Sequence, residues 1–243
     1  SNCEPDVINA VFNLLQTNGD NETFSIVYKY YAAKRFPEFQ NTFENIIVSL
    51  LSVSMNEAVT IANSTNLDNV ISFFSILYEK KSKINENSLS EIAVNVLSNT
   101  ILLVKNSQNK TGDVTALQVR ALSVLSENKW TRASSVVLTF FDYAKSLYDN
   151  EEMSDEDFVI VINSLNRVSP LEGVTPLVNY LGELNAKVEG EEVVSEAVVL
   201  AVINTLGDIG DKSAFDALLS VTYYNYPQSV LSAAREALAG LKW

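Results

Sequence analysis

The sequence has no histidine, a single cysteine (Cys3), and few glycines (8) or prolines (5) in 243 residues. Without histidine there is no Ser-His-Asp or Cys-His nucleophile, no imidazole acid–base group and no histidine metal ligand. A single cysteine cannot form an intramolecular disulfide or a CxxC zinc or redox motif. The scarcity of glycine and proline disfavours turn-rich all-β folds and disordered chains. Positive charge is also short, with 17 Lys and Arg against 30 Asp and Glu, a net charge of −13. Binding to nucleic acid draws on Lys and Arg displacing counterions from phosphates. Nucleic acid is therefore not an expected partner, and anionic membrane surfaces are disfavoured for the same reason. The nearest approach to a basic cluster, Lys80-Lys81-Ser82-Lys83, reads as the last turn of a helix, where cations complement the dipole. The apolar stretch Ile46 to Val53 is far shorter than the roughly 20 residues that span a bilayer.

What the chain does have is apolar residues at three- and four-residue spacing, the period of amphipathic helices. The expected class is all-α, with about twelve helices near 5–17, 21–35, 38–52, 55–63, 67–82, 89–105, 113–127, 131–148, 155–168, 171–187, 192–207, 212–224 and 227–241, one of which merges with its neighbour. Ser88 to Glu91 and Ser154 to Asp157 have the form of capping boxes. Pro227 suits the first turn of the last helix. Gly19, Gly190 and Gly207 read as stops, because glycine tolerates the left-handed turn after a helix. The segment Val193 to Leu206 is apolar nearly all round, which predicts a buried helix held by packing rather than by propensity.

The chain also repeats itself. Val161-Ile-Asn-Ser-Leu165 recurs as Val202-Ile-Asn-Thr-Leu206, an offset of 41, and the same offset carries Val174, Leu177 and Val178 onto Phe215, Leu218 and Leu219. An offset of 40 places Ala121–Leu125 on Val161–Leu165. A period near 40 covering two helices is that of stacked helix-pair repeats. Ala201-Val-Ile-Asn-Thr-Leu-Gly-Asp-Ile-Gly-Asp211, followed by Ala214, Leu218 and Leu219, resembles the helix end and turn of a HEAT-like repeat. Val230, Ala234, Ala237, Leu238 and Leu241 continue the pattern on one face. The resemblance is good over 195–243, fair over 113–194 and weak before that. It implies an α-α superhelix, or solenoid: one helical-repeat domain over 1–243, irregular over 1–112 and more regular over 113–243.

No GxGxxG, P-loop or GxSxG motif occurs. The expectation is a non-catalytic protein with no cofactor. Two acidic clusters, Asp149 to Asp157 and Glu189 to Glu192, read as solvated loops before negative helix starts rather than Ca²⁺ sites, since EF-hand spacing and its glycine are missing. Asp208 and Asp211 read as turn and cap residues. Tyr223, Tyr224 and Tyr226 cluster before Pro227, and tyrosine is enriched at protein interfaces, so they form the candidate interaction surface. Packing between helices is the alternative for these rings and for Tyr28, Tyr30 and Tyr31.

Ser1-Asn2 reads as the remnant of a cleaved tag, which leaves Cys3-Glu4-Pro5 at the head of the native segment. Mature bacterial lipoproteins begin with a lipid-bearing cysteine. Lipid attachment at Cys3, with the protein on the exported side of a bacterial envelope, is one expectation; a chance boundary and a cytoplasmic protein is the other. The HEAT-like resemblance implies a protein partner, in the manner of a scaffold, adaptor or assembly factor. A small-ligand- or metal-binding helical module is the alternative.

Overall fold

The computed structural model describes residues 5–106 and 112–243. Cys3 lies outside them, as does most of the polar connection 106–112. The described residues form thirteen α-helices and no strand; only a lone bridge joins Asp211 to Lys242. The helices are α1 (Pro5–Asn18), α2 (Asn21–Ala32), α3 (Gln40–Leu50), α4 (Met55–Ala62), α5 (Leu67–Glu79), α6 (Glu86–Asn106), α7 (Gly112–Glu127), α8 (Ser134–Asp149), α9 (Asp155–Val168), α10 (Val174–Glu189), α11 (Glu196–Ile209), α12 (Phe215–Val221) and α13 (Gln228–Ala239). All thirteen expected segments are separate helices, and none merges with its neighbour.

Short side chains at the helix starts explain several boundaries. Asp20, Asn66 and Ser154 accept from Thr23, Asn69 and Asp157 backbone amides at 2.9, 3.2 and 3.1 Å, and Ser195 accepts from Val198 at 3.5 Å. Each satisfies an amide that the first helical turn leaves open. The Thr23 amide and hydroxyl hold the Asp20 carboxyl below its usual range. The expected box at Ser88 is not the cap. Asn85 takes that role, accepting from the Asn87 and Ser88 amides at 3.0 and 3.4 Å, and α6 starts before Ser88. Asparagine caps as well as serine, and it came first along the chain. Pro227 is the N-cap of α13 rather than a residue inside it, and its carbonyl accepts the first helical bond from Leu231.

Gly19 and Gly190 directly follow α1 and α10, as expected of stops, but neither takes the left-handed conformation. Gly190 has φ −78°, and the left-handed residue is Glu191, at φ 62°. The Glu191 and Glu192 amides bond back to Val188 and Lys187 at 3.0 and 2.9 Å, a Schellman pattern. After α8 Glu151 is likewise left-handed at φ 60°, with Glu151 and Glu152 bonding back to Tyr148 and Leu147 at 3.0 and 2.8 Å. The two acidic clusters therefore share one turn geometry, each leading into a serine cap. Gly207 does not end a helix. It lies inside α11, which stops at Gly210 with φ 72°. A Cβ built on Gly207 would stand 2.8 Å from the Ala237 Cβ, so the glycine lets α11 and α13 approach closely.

Contacts fall mainly between helices that are neighbours in the chain, and they group the residues into two compact units, 1–124 and 125–243. In the first unit α1, α3 and α5 pack in one row and α2, α4 and α6 in another. Phe24, Tyr28 and Phe73 sit edge-to-face in its core, at 6.4 and 5.4 Å between rings. Such pairs add specific geometry to a large apolar area. Tyr28 also donates to Asn69 Oδ1 at 2.5 Å, while Tyr30 and Tyr31 stay half-buried. No single helix among the described residues is long and apolar enough to cross a membrane. The bent pair 37–53 and 55–62 meets that test only jointly, and its Ile46, Ile47 and Leu50 are buried core residues.

In the second unit α9 packs on α11 and α11 on α13, while α10 packs on α12. The repeated pentapeptides lie on the packed pair α9 and α11. Val161, Ile162 and Leu165 are fully buried, as are Val202, Ile203 and Leu206. Matching sequence thus means matching burial, and each such side chain contributes roughly 1.5–3 kcal/mol. Phe141, Phe158 and Tyr180 join α8, α9 and α10, with ring separations of 5.6 to 6.3 Å. Α11 is shorter at its start than expected. Val193 is wholly exposed and precedes the helix, because Ser195 caps it two residues later.

Candidate interaction groove

Two loops of the second unit stand side by side. One follows α10 and carries Glu189, Glu191, Glu192, Val193 and Val194; the other follows α12 and carries Tyr223, Tyr224, Asn225 and Tyr226. Between them runs an open groove of about 580 Å³. The Tyr226 hydroxyl fixes the walls by donating to Asn185 Oδ1 of α10 at 2.9 Å. Both groups are buried, and burial pushes the Tyr226 hydroxyl up to about 12. The α12 end tightens as Tyr223 and Tyr224 amides bond back to Ser220 and Val221 at 3.0 and 3.3 Å.

The three tyrosines of the sequence reading therefore have different places. Tyr223 is 76% exposed, Tyr224 is half-buried, and Tyr226 is an internal anchor. Removing the anchor's hydroxyl should loosen the groove. Tyr226→Phe leaves the buried Asn185 oxygen without this donor, at about 1–3 kcal/mol. A thermal melt should fall by several degrees with helicity unchanged at low temperature; an unaltered melt would show that the bond does not brace the loops.

The acidic turn after α8 is differently furnished. Asp149 is bridged by Lys145 at 3.2 Å and by Lys187 at 3.5 Å, and Lys145 also meets Glu183 at 2.7 Å. Asp155 accepts from the Tyr148 hydroxyl at 2.8 Å and from Ser195. Burial, then Asp155, pushes the Tyr148 hydroxyl up to about 12. Glu189, Glu191 and Glu192 are exposed and meet no such cation among the described residues. No three of His, Cys, Asp or Glu converge on one point among the described residues as metal ligands do. Asp211 caps a turn by accepting from the Ser213 amide and hydroxyl at 2.8 and 2.7 Å, which holds its carboxyl below the usual range. Asp208 accepts from Asn166 at 3.4 Å.

A second, shallower hollow of about 390 Å³ lies in the first unit, among Tyr28, Asn56, Glu57, Thr60 and Asn69. Sequence reasoning found the tyrosines and the acidic turn separately but did not join them. It also missed Val193 as a surface residue. The available signal was Ser195, a capping residue that places Val193 before the helix.

No protein-family model, curated protein or solved structure significantly matches the chain.

Proposed function

We propose that the chain is a HEAT-like helical-repeat protein that binds another protein along its loop face, as a non-catalytic scaffold or adaptor. The repeat reading is supported by side-chain bonds that join residues about one period apart. In the second unit Tyr226 reaches Asn185, Ser195 reaches Asp155, Thr205 reaches Asn163 and Asn166 reaches Asp208, at separations of 40 to 42 residues. In the first, Tyr28 reaches Asn69 and Lys80 reaches Asn41, at 41 and 39. A stack of helix pairs gives such links, because each pair contacts mainly its neighbours. Other links of the first unit are shorter, 36 residues for Asn21–Glu57 and 32 for Asn63–Asn95, so the spacing there is irregular.

The observation that carries the binding role is the groove itself. Tyr223 and Val193 project from two loops, and a buried hydrogen bond ties the tyrosine-bearing loop to α10, so aromatic surface is presented on a firm base. Isolated exposed apolar residues are ordinary on any surface. Here they line one concavity, and interfaces favour such tyrosine-bearing surfaces. The absence of histidine and of nucleotide-binding motifs supports the non-catalytic reading.

The test places a photo-cross-linking amino acid at position 223, with a second protein carrying it at the exposed Asp142 as control. In source cells, position 223 should give one reproducible adduct that position 142 does not, and the purified adduct partner should rebind the purified chain. Absence of a position-specific protein adduct would overturn the role.

A further inference from the structure

We infer that the groove takes a lysine- or arginine-bearing extended segment of the partner protein, an inference that rests on the protein-binding role proposed above. Two turns of matching backbone geometry differ in what surrounds their carboxylates. In the turn around Glu151, two lysines hold Asp149 and two hydroxyls hold Asp155. In the turn around Glu191 the same backbone geometry presents three exposed carboxylates beside a concavity. Lys187, the nearest cation in the chain before them, is already committed to Asp149. Neither loop, 188–194 or 223–227, contains a lysine or arginine.

The opposite wall matches this field. Tyr223 and Tyr224 supply ring faces, and a cation over such a face is attracted by its quadrupole. Val193, wholly exposed, offers apolar surface to the methylene stem of a long cationic side chain. Carboxylates, rings and an exposed apolar side chain are together what a snorkelling lysine or arginine needs. A volume of about 580 Å³ accommodates a few side chains rather than a folded domain. The net charge of −13 adds a long-range attraction that steers cationic partners toward the protein. A bare metal ion is a poorer occupant, because the carboxylates do not converge.

The experiment uses the full chain and short fluorescein-labelled peptides in three versions: lysine- and arginine-bearing, the same with glutamine at the cationic positions, and the same with glutamate. Anisotropy at low and raised salt reads binding. Only the cationic version should bind, with affinity falling as salt screens the charges. The combined Glu189→Gln, Glu191→Gln and Glu192→Gln variant should weaken it about tenfold, and Tyr223→Ala about threefold. A matched control, Glu38→Gln with Asp142→Asn and Glu236→Gln, removes the same charge elsewhere and should change affinity less than about twofold. All six acidic positions are surface residues, so folding is retained and is checked by circular dichroism.

Equal loss in the two triple variants would reduce the effect to diffuse net charge and overturn the assignment. Binding of the glutamine peptide with equal affinity would also overturn it, as would spermidine displacing the peptide at lower concentration than the peptide itself requires. The two proposals fail differently. A protein cross-linked at 223 that binds the triple glutamine variant unchanged would remove the cationic assignment and leave the protein-binding role. Specific peptide binding without any cross-linked protein would remove that role while the groove's chemistry stood.

Discussion

Val198→Asp is expected to unfold the helix stack of the second unit, with a melting temperature lower by about 10 °C or more. The local and tertiary effects oppose each other, and their sizes decide the outcome. Val198 is the third residue of α11, three after the Ser195 cap. An aspartate there completes a serine–acid capping pair and faces the positive helix end, a gain of about 0.3–1 kcal/mol. Val198 is also fully buried. Its loss removes roughly 1.5–3 kcal/mol of apolar burial, and an unpaired carboxylate in the interior costs several kcal/mol more. Burial wins by on the order of 4 kcal/mol or more, against a total stability of about 5–15 kcal/mol for typical domains. Val198→Ala is the companion, expected to cost about 2 kcal/mol through its cavity alone. Circular dichroism melts check both. A soluble Val198→Asp protein with unchanged helicity and melting would contradict the buried packing of α11.

Gly207→Leu should be nearly as damaging, for a steric reason. The Cβ alone would stand 2.8 Å from the Ala237 Cβ and 3.0 Å from its Cα. Real Cβ atoms do not approach that closely, so α11 and α13 must separate. Glycine inside a helix is worth about 1 kcal/mol less than alanine, which sets a favourable term against the clash. Overpacking of this kind costs about 1–3 kcal/mol for a methyl-sized intrusion and more for a leucine. Gly207→Ala is therefore expected to be mildly destabilising and Gly207→Leu to lose about 3 kcal/mol, read as a lower urea midpoint with unchanged slope. The pair Gly207→Ala with Ala237→Gly moves the methyl across the same contact and should recover most of the loss. Failure of that exchange to restore stability would show that the close approach is not what the glycine provides.

The two variants probe different signals in the sequence, and they mark where it was legible. The buried face of α11 was readable, because a run of Val, Leu, Ile and Ala with no polar side has one stable environment. Α9 was also readable in its bounds, 155–168, since a serine cap and an acidic first turn precede a periodic apolar face. Gly207 was misread. A glycine near the end of an apolar run serves equally as a stop or as a place of close approach, and only the position of Ala237 decides between them. The left-handed conformation after α10 was assigned to Gly190, whereas glutamate takes it at 191, as at 151, and the residue type gave no sign. Val193 looked internal because composition alone does not show that a serine two residues later starts the helix.

The groove was legible in pieces. Tyrosines at 223, 224 and 226 and the acids at 189, 191 and 192 were each visible as clusters. Their adjacency comes with the packing of α10 on α12, where the Tyr226–Asn185 bond joins residues 41 apart. A repeat period brings such residues together, but which side chains meet depends on the phase of two helices and two turns. One tyrosine became an anchor while its neighbour at 223 stayed at the surface, a division set by the α12 end and by Pro227. Four lateral bonds in the second unit span 40 to 42 residues, the spacing of the repeated pentapeptide.

That lateral packing is the central claim, and a cysteine cross-link tests it most directly. Asn166 of α9 and Asp208 of α11 are surface-accessible, with side-chain atoms 3.4 Å apart. In a chain with Cys3→Ser, Asn166→Cys and Asp208→Cys should react rapidly and nearly completely with a short bifunctional thiol reagent. The pair Asn166→Cys with Asn204→Cys, one helical turn away, should react slowly. Rapid closure of only the first pair is the predicted result. Equal closure of both, or closure of neither in the folded protein, would contradict the stacking of one repeat on the next.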